Sequence, residues 1–171
     1  CSSDLSQYAV FEIGMNHAHE ITPLVRFVKP EVAIVTTVEA VHTENFADGI
    51  DGVAAAKAEI FDGFEPQVRP AVAVLNRDNR YFDFLAERAR RRGAQRIVAF
   101  GAAAAADVRL VTLQGDADGS DVTADIHGRR LAFRIGAPGR HWAINALAVL
   151  AAAEALGIDA RSEEHTSELQ S

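Results

Sequence analysis

The sequence predicts an α/β domain: a mostly parallel sheet with flanking helices and an antiparallel extension. Three observations lead there. Short apolar runs, VAIV at residues 32–35, AVAVL at 71–75 and RIVAF at 96–100, recur with helical patterns between them. Continuous rather than alternating runs belong to strands covered on both faces. Residues 108–113, 121–126 and 131–135 alternate instead and are separated by Gly115, Gly119 and Gly128, a hairpin pattern. Strand–helix alternation followed by hairpins gives a mixed sheet rather than a bundle or sandwich.

Taken in order, residues 8–13 (YAVFEI) read as a first buried strand, with Glu12 near its end and Gly14 after it. An acid there is costly unless something pairs with it, so Glu12 is either a ligand or a strand-end residue turned to solvent. A polar loop (MNHAHE, 15–20) leads to a short helix over 21–28 with Leu24, Val25 and Val28 inward. Lys29-Pro30 ends it, because the residue before proline disfavours helix. After the 32–35 strand comes a loop bearing Glu39, His42 and Glu44. The following helix, 49–61, puts Ile50, Val53, Ala54, Lys57, Ile60 and Phe61 on one face. Lys57 is a cation on that apolar stripe. Either its stem snorkels to water, or Lys57 and His42 serve one site at the carboxyl end of the strand, where open α/β sheets bind ligands.

The 71–75 strand ends in Asn76-Arg77-Asp78-Asn79. Asn79 suits a cap for a helix over 80–92 with Phe82, Leu85 and Ala89 inward. Arg88, Arg90, Arg91 and Arg92 lie in its last turns, where cations suit the helix dipole, and read as a solvated face. Gly101 closes the 96–100 strand, and residues 102–106 form a loop. Pro138-Gly139 introduces the last helix, 141–156, with Ile144, Leu147, Ala148 and Ala151 inward and Gly157 as its stop.

The chain has 171 residues, 49% hydrophobic and 24% charged, with net charge −7. That is core enough for one domain and the wrong sign for nucleic acid or acidic lipid. The lone cysteine, Cys1, precludes a disulfide within the chain. No apolar run reaches membrane-spanning length and no signal peptide is evident, so a cytoplasmic monomer without membrane insertion is expected. Residues 161–171 (RSEEHTSELQS) break with the Ala/Leu-rich helix before them and resemble a translated sequencing adapter. We expect a domain over 1–160 and a non-native tail over 161–171.

Four pieces together resemble one family. YAVFEIGMNHAHEI (8–21), VTTVEAVHTENF (35–46), VAAAKAEIF (53–61) with VLNRD (74–78), and PGRHWAINAL (138–147) stand in this order and spacing in the Mur ligases, in their central ATP-binding, P-loop-NTPase-like domain. The E-x-G-x-N-H stretch resembles the member that joins D-alanyl-D-alanine to UDP-N-acetylmuramoyl-tripeptide. The resemblance implies a mechanism in which ATP phosphorylates the tripeptide carboxylate and the dipeptide amine then displaces phosphate. It implies two Mg²⁺ ions, since phosphate and carboxylate repel each other until cations neutralise them. Glu12 would hold the ion that meets the β- and γ-phosphates, and His42 would lie at the second. Lys57 matches the lysine that the family converts with CO₂ to a carbamate, so the resemblance favours a site role for it, with His42, in catalysis. Asn145 and His141 would meet adenine, Asn76 and Asp78 would lie near the nucleotide, and Asn16 and His17 would face the muramoyl substrate.

Departures from the family pattern are His19 where Gly is usual, Thr37 and Trp142 where Asn is common, and Ala58 where Gly is common. The phosphate loop G-x-x-G-K-[ST] is not among the 171 residues. The resemblance puts it before Cys1, together with the uridine-nucleotide domain, and a further domain beyond the last helix, so these residues alone are expected to be inactive. The alternatives are another Mur ligase, a folylpolyglutamate synthase-like ligase, or a non-catalytic nucleotide-binding module on the same fold.

Overall fold

A computed structural model describes residues 8–40 and 43–158. Helix α1 is Ile21–Val28 and strand β1 is Val32–Val35. A short 3₁₀ turn, Thr43–Asn45, leads to α2, Ile50–Ala58, which tightens into a second 3₁₀ turn, Glu59–Gly63. Then follow β2 (Val72–Asn76), α3 (Phe82–Arg91), β3 (Arg96–Gly101), β4 (Val108–Gly115), β5 (Ser120–Ile126), β6 (Arg129–Ile135) and α4 (Arg140–Ala155).

The strands form one sheet in sequence order, β1 to β6. Pairs β1–β2, β2–β3 and β3–β4 are parallel, with Val32 opposite Val72 and Val72 opposite Arg96. Pairs β4–β5 and β5–β6 are antiparallel, and the β4–β5 register shifts between Leu110 and Thr112. Side chains alternate across a strand, so the parallel half feeds two cores. Ala33, Val35, Ala73 and Leu75 face α2, the Glu59–Gly63 turn and α3. Val72, Val74, Val98, Phe100 and Val108 face α4, which supplies Ala143, Leu147, Ala148 and Ala151. Leu147 is fully buried, which stabilises the α4–sheet packing by about 2 kcal/mol.

Two expectations fail. Residues 8–13 form no strand. A strand needs a hydrogen-bonded neighbour, and among the described residues β1 pairs only with β2. Tyr8, Val10 and Phe11 are accordingly exposed, Val10 to 95%. In α1, Ile21 and Val25 are buried while Leu24 is not, because α1 packs on the Glu59–Gly63 turn and presents a single narrow stripe to it. Lys29, at φ +53 in the left-handed region, ends that helix and donates its N–H to the Val25 carbonyl. Among the described residues no helix is long and apolar enough to cross a membrane.

Candidate functional site

The parallel strands deliver Val35, Asn76 and Gly101 to one edge of the sheet. Helix α4 starts at that edge and runs back along the sheet. Arg140, in its first turn, reaches Asp78 at 4.0 Å, and Glu154, in its last, pairs with Arg96 at the start of β3. His141 and Asn145 are therefore one turn apart on the exposed side of α4, close to the carboxyl edge. The His141 ring packs over Gly139, whose φ is +119 and where a Cβ would lie 3.0 Å from the ring. It also tilts against Trp142, with centroids 5.3 Å apart.

Asn76 and Asp78 are brought together, and their polar atoms are directed at protein. The Asn76 side-chain amide donates to the Thr36 carbonyl at 2.9 Å, and its Oδ1 accepts the Asp78 N–H at 2.9 Å. Asp78 accepts the N–H groups of Ala102 and Ala103 at 2.8 to 3.0 Å. Asn79 makes a local turn, accepting the Tyr81 N–H at 2.9 Å, and donates to the Val38 carbonyl at 3.2 Å. It acts just before α3 rather than as its cap.

Lys57 sits half-buried on α2. Among the described residues its ammonium has no hydrogen-bond or ion-pair partner. Glu12 is exposed in the unpaired segment before Gly14, and its carboxylate is likewise without a partner among the described residues. His42 lies outside the described residues. Asn16 and His17 are exposed in a loop organised by Glu20, whose carboxylate accepts the N–H of Asn16 at 2.7 Å and of His17 at 3.2 Å. Those bonds, that of Asn16 first, hold the Glu20 carboxyl below the ordinary glutamate value. Among the described residues no three His, Cys, Asp or Glu side chains gather into a metal cage.

Sequence reasoning missed Glu59. It is a buried carboxylate, 7% exposed, that accepts the His19 N–H at 2.7 Å and both the N–H and hydroxyl of Thr22 at 3.2 Å. These bonds pin the start of α1 to the end of α2. The available signal was α2's small residues: Ala54, Ala56 and Ala58 are all buried, so this helix has a second covered face. His19 has φ +70, a conformation in which glycine is unstrained and His is among the better-tolerated side chains.

The family described as the Mur ligase middle domain matches residues 2–153. The chain is 29% identical over 157 residues, 92% of its length, to the UDP-N-acetylmuramoyl-tripeptide–D-alanyl-D-alanine ligase of Rickettsia prowazekii. It is 37% identical over 137 residues, 78% of its length, to the UDP-N-acetylmuramate–L-alanine ligase of Streptomyces griseus. A crystal structure of MurF from Acinetobacter baumannii matches 90% of the chain with TM-score 0.80 at 28% identity. The chain spans 34%, 28% and 32% of those three proteins. It belongs to the Mur ligase family, whose middle domain it carries.

Proposed function

We propose that these residues are the ATP-binding domain of a ligase that joins D-alanyl-D-alanine to UDP-N-acetylmuramoyl-tripeptide in peptidoglycan precursor synthesis. The observation that supports this substrate pair best is the likeness to the Acinetobacter baumannii MurF structure over 90% of the chain, TM-score 0.80. The tripeptide carboxylate attacks the γ-phosphorus of ATP and ADP leaves. The dipeptide amine then attacks the acyl carbon, phosphate leaves and an amide forms.

Residue chemistry supports the assignment. Glu12 offers a carboxylate with its lone pairs uncommitted among the described residues, which suits Mg²⁺, a hard cation that keeps several waters and needs few protein ligands. Held there, Mg²⁺ would offset the repulsion between phosphate and carboxylate. Lys57, as a carbamate, and His42 would hold the second metal. His141 and Asn145 stand on the exposed, edge-proximal side of α4, open to adenine, and Asn16 and His17 occupy the loop open to the muramoyl substrate.

The 37% identity to the Streptomyces griseus enzyme favours a second reading, a ligase for UDP-N-acetylmuramate and L-alanine. Full-length protein offered each acceptor–amine pair separately, with ADP release as readout, decides between them. Turnover with UDP-N-acetylmuramoyl-tripeptide and D-alanyl-D-alanine alone is expected. Turnover only with UDP-N-acetylmuramate and L-alanine would replace the first reading by the second.

A further inference from the structure

Residues 76–79 bond to the segment that follows β1 and to the end of β3 and the loop after it, at the carboxyl edge. Asn76 holds the end of β1 through the Thr36 carbonyl. The Arg77 N–H donates to the Phe100 carbonyl at 2.7 Å, and Asn79 reaches Val38. Asp78 does most. Two successive backbone N–H groups, of Ala102 and Ala103, point at its carboxylate, the arrangement that elsewhere makes an anion-binding nest. Here the anion is the protein's own.

Gly101 is shaped for this contact. Its φ is +144, and a Cβ there would lie 2.8 Å from Asp78 Oδ1. Beyond the nest, Asp78 Oδ2 faces the Arg140 guanidinium at 4.0 Å. Arg140 opens α4, whose N-cap, Gly139, offers no side-chain bond. The buried side of α4 is fixed by Ala143 and Leu147, so the axis does not depend on Asp78. On the exposed side of the first turn, Arg140 meets the strand ends through this long contact between partly exposed groups.

We infer that Asp78 is a positioning residue for the nucleotide: it sets the loop after β3 and the first turn of α4, and acts on adenine only through His141 and Asn145. The inference rests on the reading of α4 as the adenine-contacting helix. A carboxylate already accepting three N–H contacts has little capacity left for a ligand, which separates Asp78 from Glu12.

The test uses the full-length protein and the variants Asp78→Asn, Gly101→Ala, Asn145→Ala and the double variant Asp78→Asn with Asn145→Ala. Hydrogen bonds to a charged group are the stronger kind, so Asp78→Asn is expected to raise the KM for ATP about tenfold. kcat should stay within roughly twofold, since positioning of the base is lost rather than transition-state contact. The preference for ATP over GTP should fall with it. Gly101→Ala, which displaces the carboxylate without removing it, should do the same. The double variant should be no worse than the more severe single variant, because residues acting through one another are not additive.

Multiplying effects would overturn the inference. So would a loss of kcat with an altered Mg²⁺ requirement, which would make Asp78 a ligand. A silent Asp78→Asn beside an impaired Asn145→Ala would overturn it alone. A silent Asn145→Ala would remove the adenine reading beneath it. Amide exchange separates those two cases: faster exchange in the first turn of α4 in Asp78→Asn shows the clamp even where adenine binds elsewhere, and unchanged exchange removes the clamp itself.

Discussion

Lys57 and Glu59 are two residues apart in one helical stretch and live in opposite circumstances. Glu59 is buried, and three donors from the start of α1 converge on it. Lys57 is half-buried, and among the described residues its ammonium has no partner. A buried charge persists when hydrogen bonds compensate its desolvation, so Glu59 is explained by the fold. Lys57 is not. Asp78 and Glu12 are both exposed, and they differ in partners: Asp78 has three N–H contacts and Glu12 has none among the described residues. Polar groups that the fold uses are set apart in this way from polar groups without a partner among the described residues.

The sharpest way to break the comparison is at Lys57. In the full-length protein, Lys57→Ala should lower turnover by roughly 10²–10³-fold, the usual loss for one preorganised electrostatic group. Its stability should stay within about 0.5 kcal/mol of the parent, since no partner is orphaned. Lys57→Arg keeps the charge but does not readily take up CO₂, and should be as inactive. An arginine variant with most of the parent rate would make Lys57 a plain cation and end the carbamate proposal.

Glu59 should behave the other way. Glu59→Ala leaves the His19 and Thr22 N–H groups without their acceptor, a cost of about 1–3 kcal/mol. The loss should appear as a lower urea midpoint and faster amide exchange at the start of α1. Glu59→Gln, which keeps one acceptor oxygen, should lie between. A Glu59→Ala protein as stable as the parent would show that α1 does not depend on this carboxylate.

Much of this was legible beforehand. The runs at 32–35 and 21–28 became β1 and α1 with the expected bounds, and the glycine-spaced segments became the antiparallel β4–β5–β6 extension. Each signal is local: apolar runs, helix stops and turn glycines act within a few residues. Residues 8–13 failed because strand formation is a property of a pair, and a sequence run does not name its neighbour. Glu59 and the Asp78 nest were illegible for a related reason. Their partners lie 40 and 24 residues away, and no spacing rule links them. The roles of Glu12, His42, Lys57, His141 and Asn145 came from resemblance in the sequence, and their chemistry stands as proposal.

His19 refines the comparison by separating a backbone contribution from a side-chain one. Its N–H is needed by Glu59, but its side chain is 90% exposed. With φ at +70, replacing it by glycine relieves left-handed strain of about 1–2 kcal/mol in an L-residue. Glycine also costs roughly 0.5–1 kcal/mol in unfolded-chain entropy. His19→Gly should therefore be neutral to about 1.5 kcal/mol stabilising, whereas a β-branched His19→Val should be destabilising. A clear loss of stability in His19→Gly would assign the imidazole, 3.5 Å from Glu59 through Nδ1, a larger part than its exposure suggests.

The smallest effect belongs to Glu20, which organises the same loop from its exposed side. Its carboxylate is held below the ordinary value chiefly by the Asn16 N–H and then by that of His17. A depressed carboxyl stabilises the folded loop above its unfolded pKa, and that contribution is lost as pH falls through the depressed value. The protection factors of the Asn16 and His17 amides, exchange rates taken relative to the free peptide at each pH, should therefore fall as the solution is acidified through the carboxylate range. Glu20→Gln should abolish the acid dependence at Asn16 and leave overall stability almost unchanged, because an exposed carboxylate is screened by water and salt. If the acid dependence at Asn16 persisted in Glu20→Gln, the Glu20 carboxylate would not be the group that organises this loop.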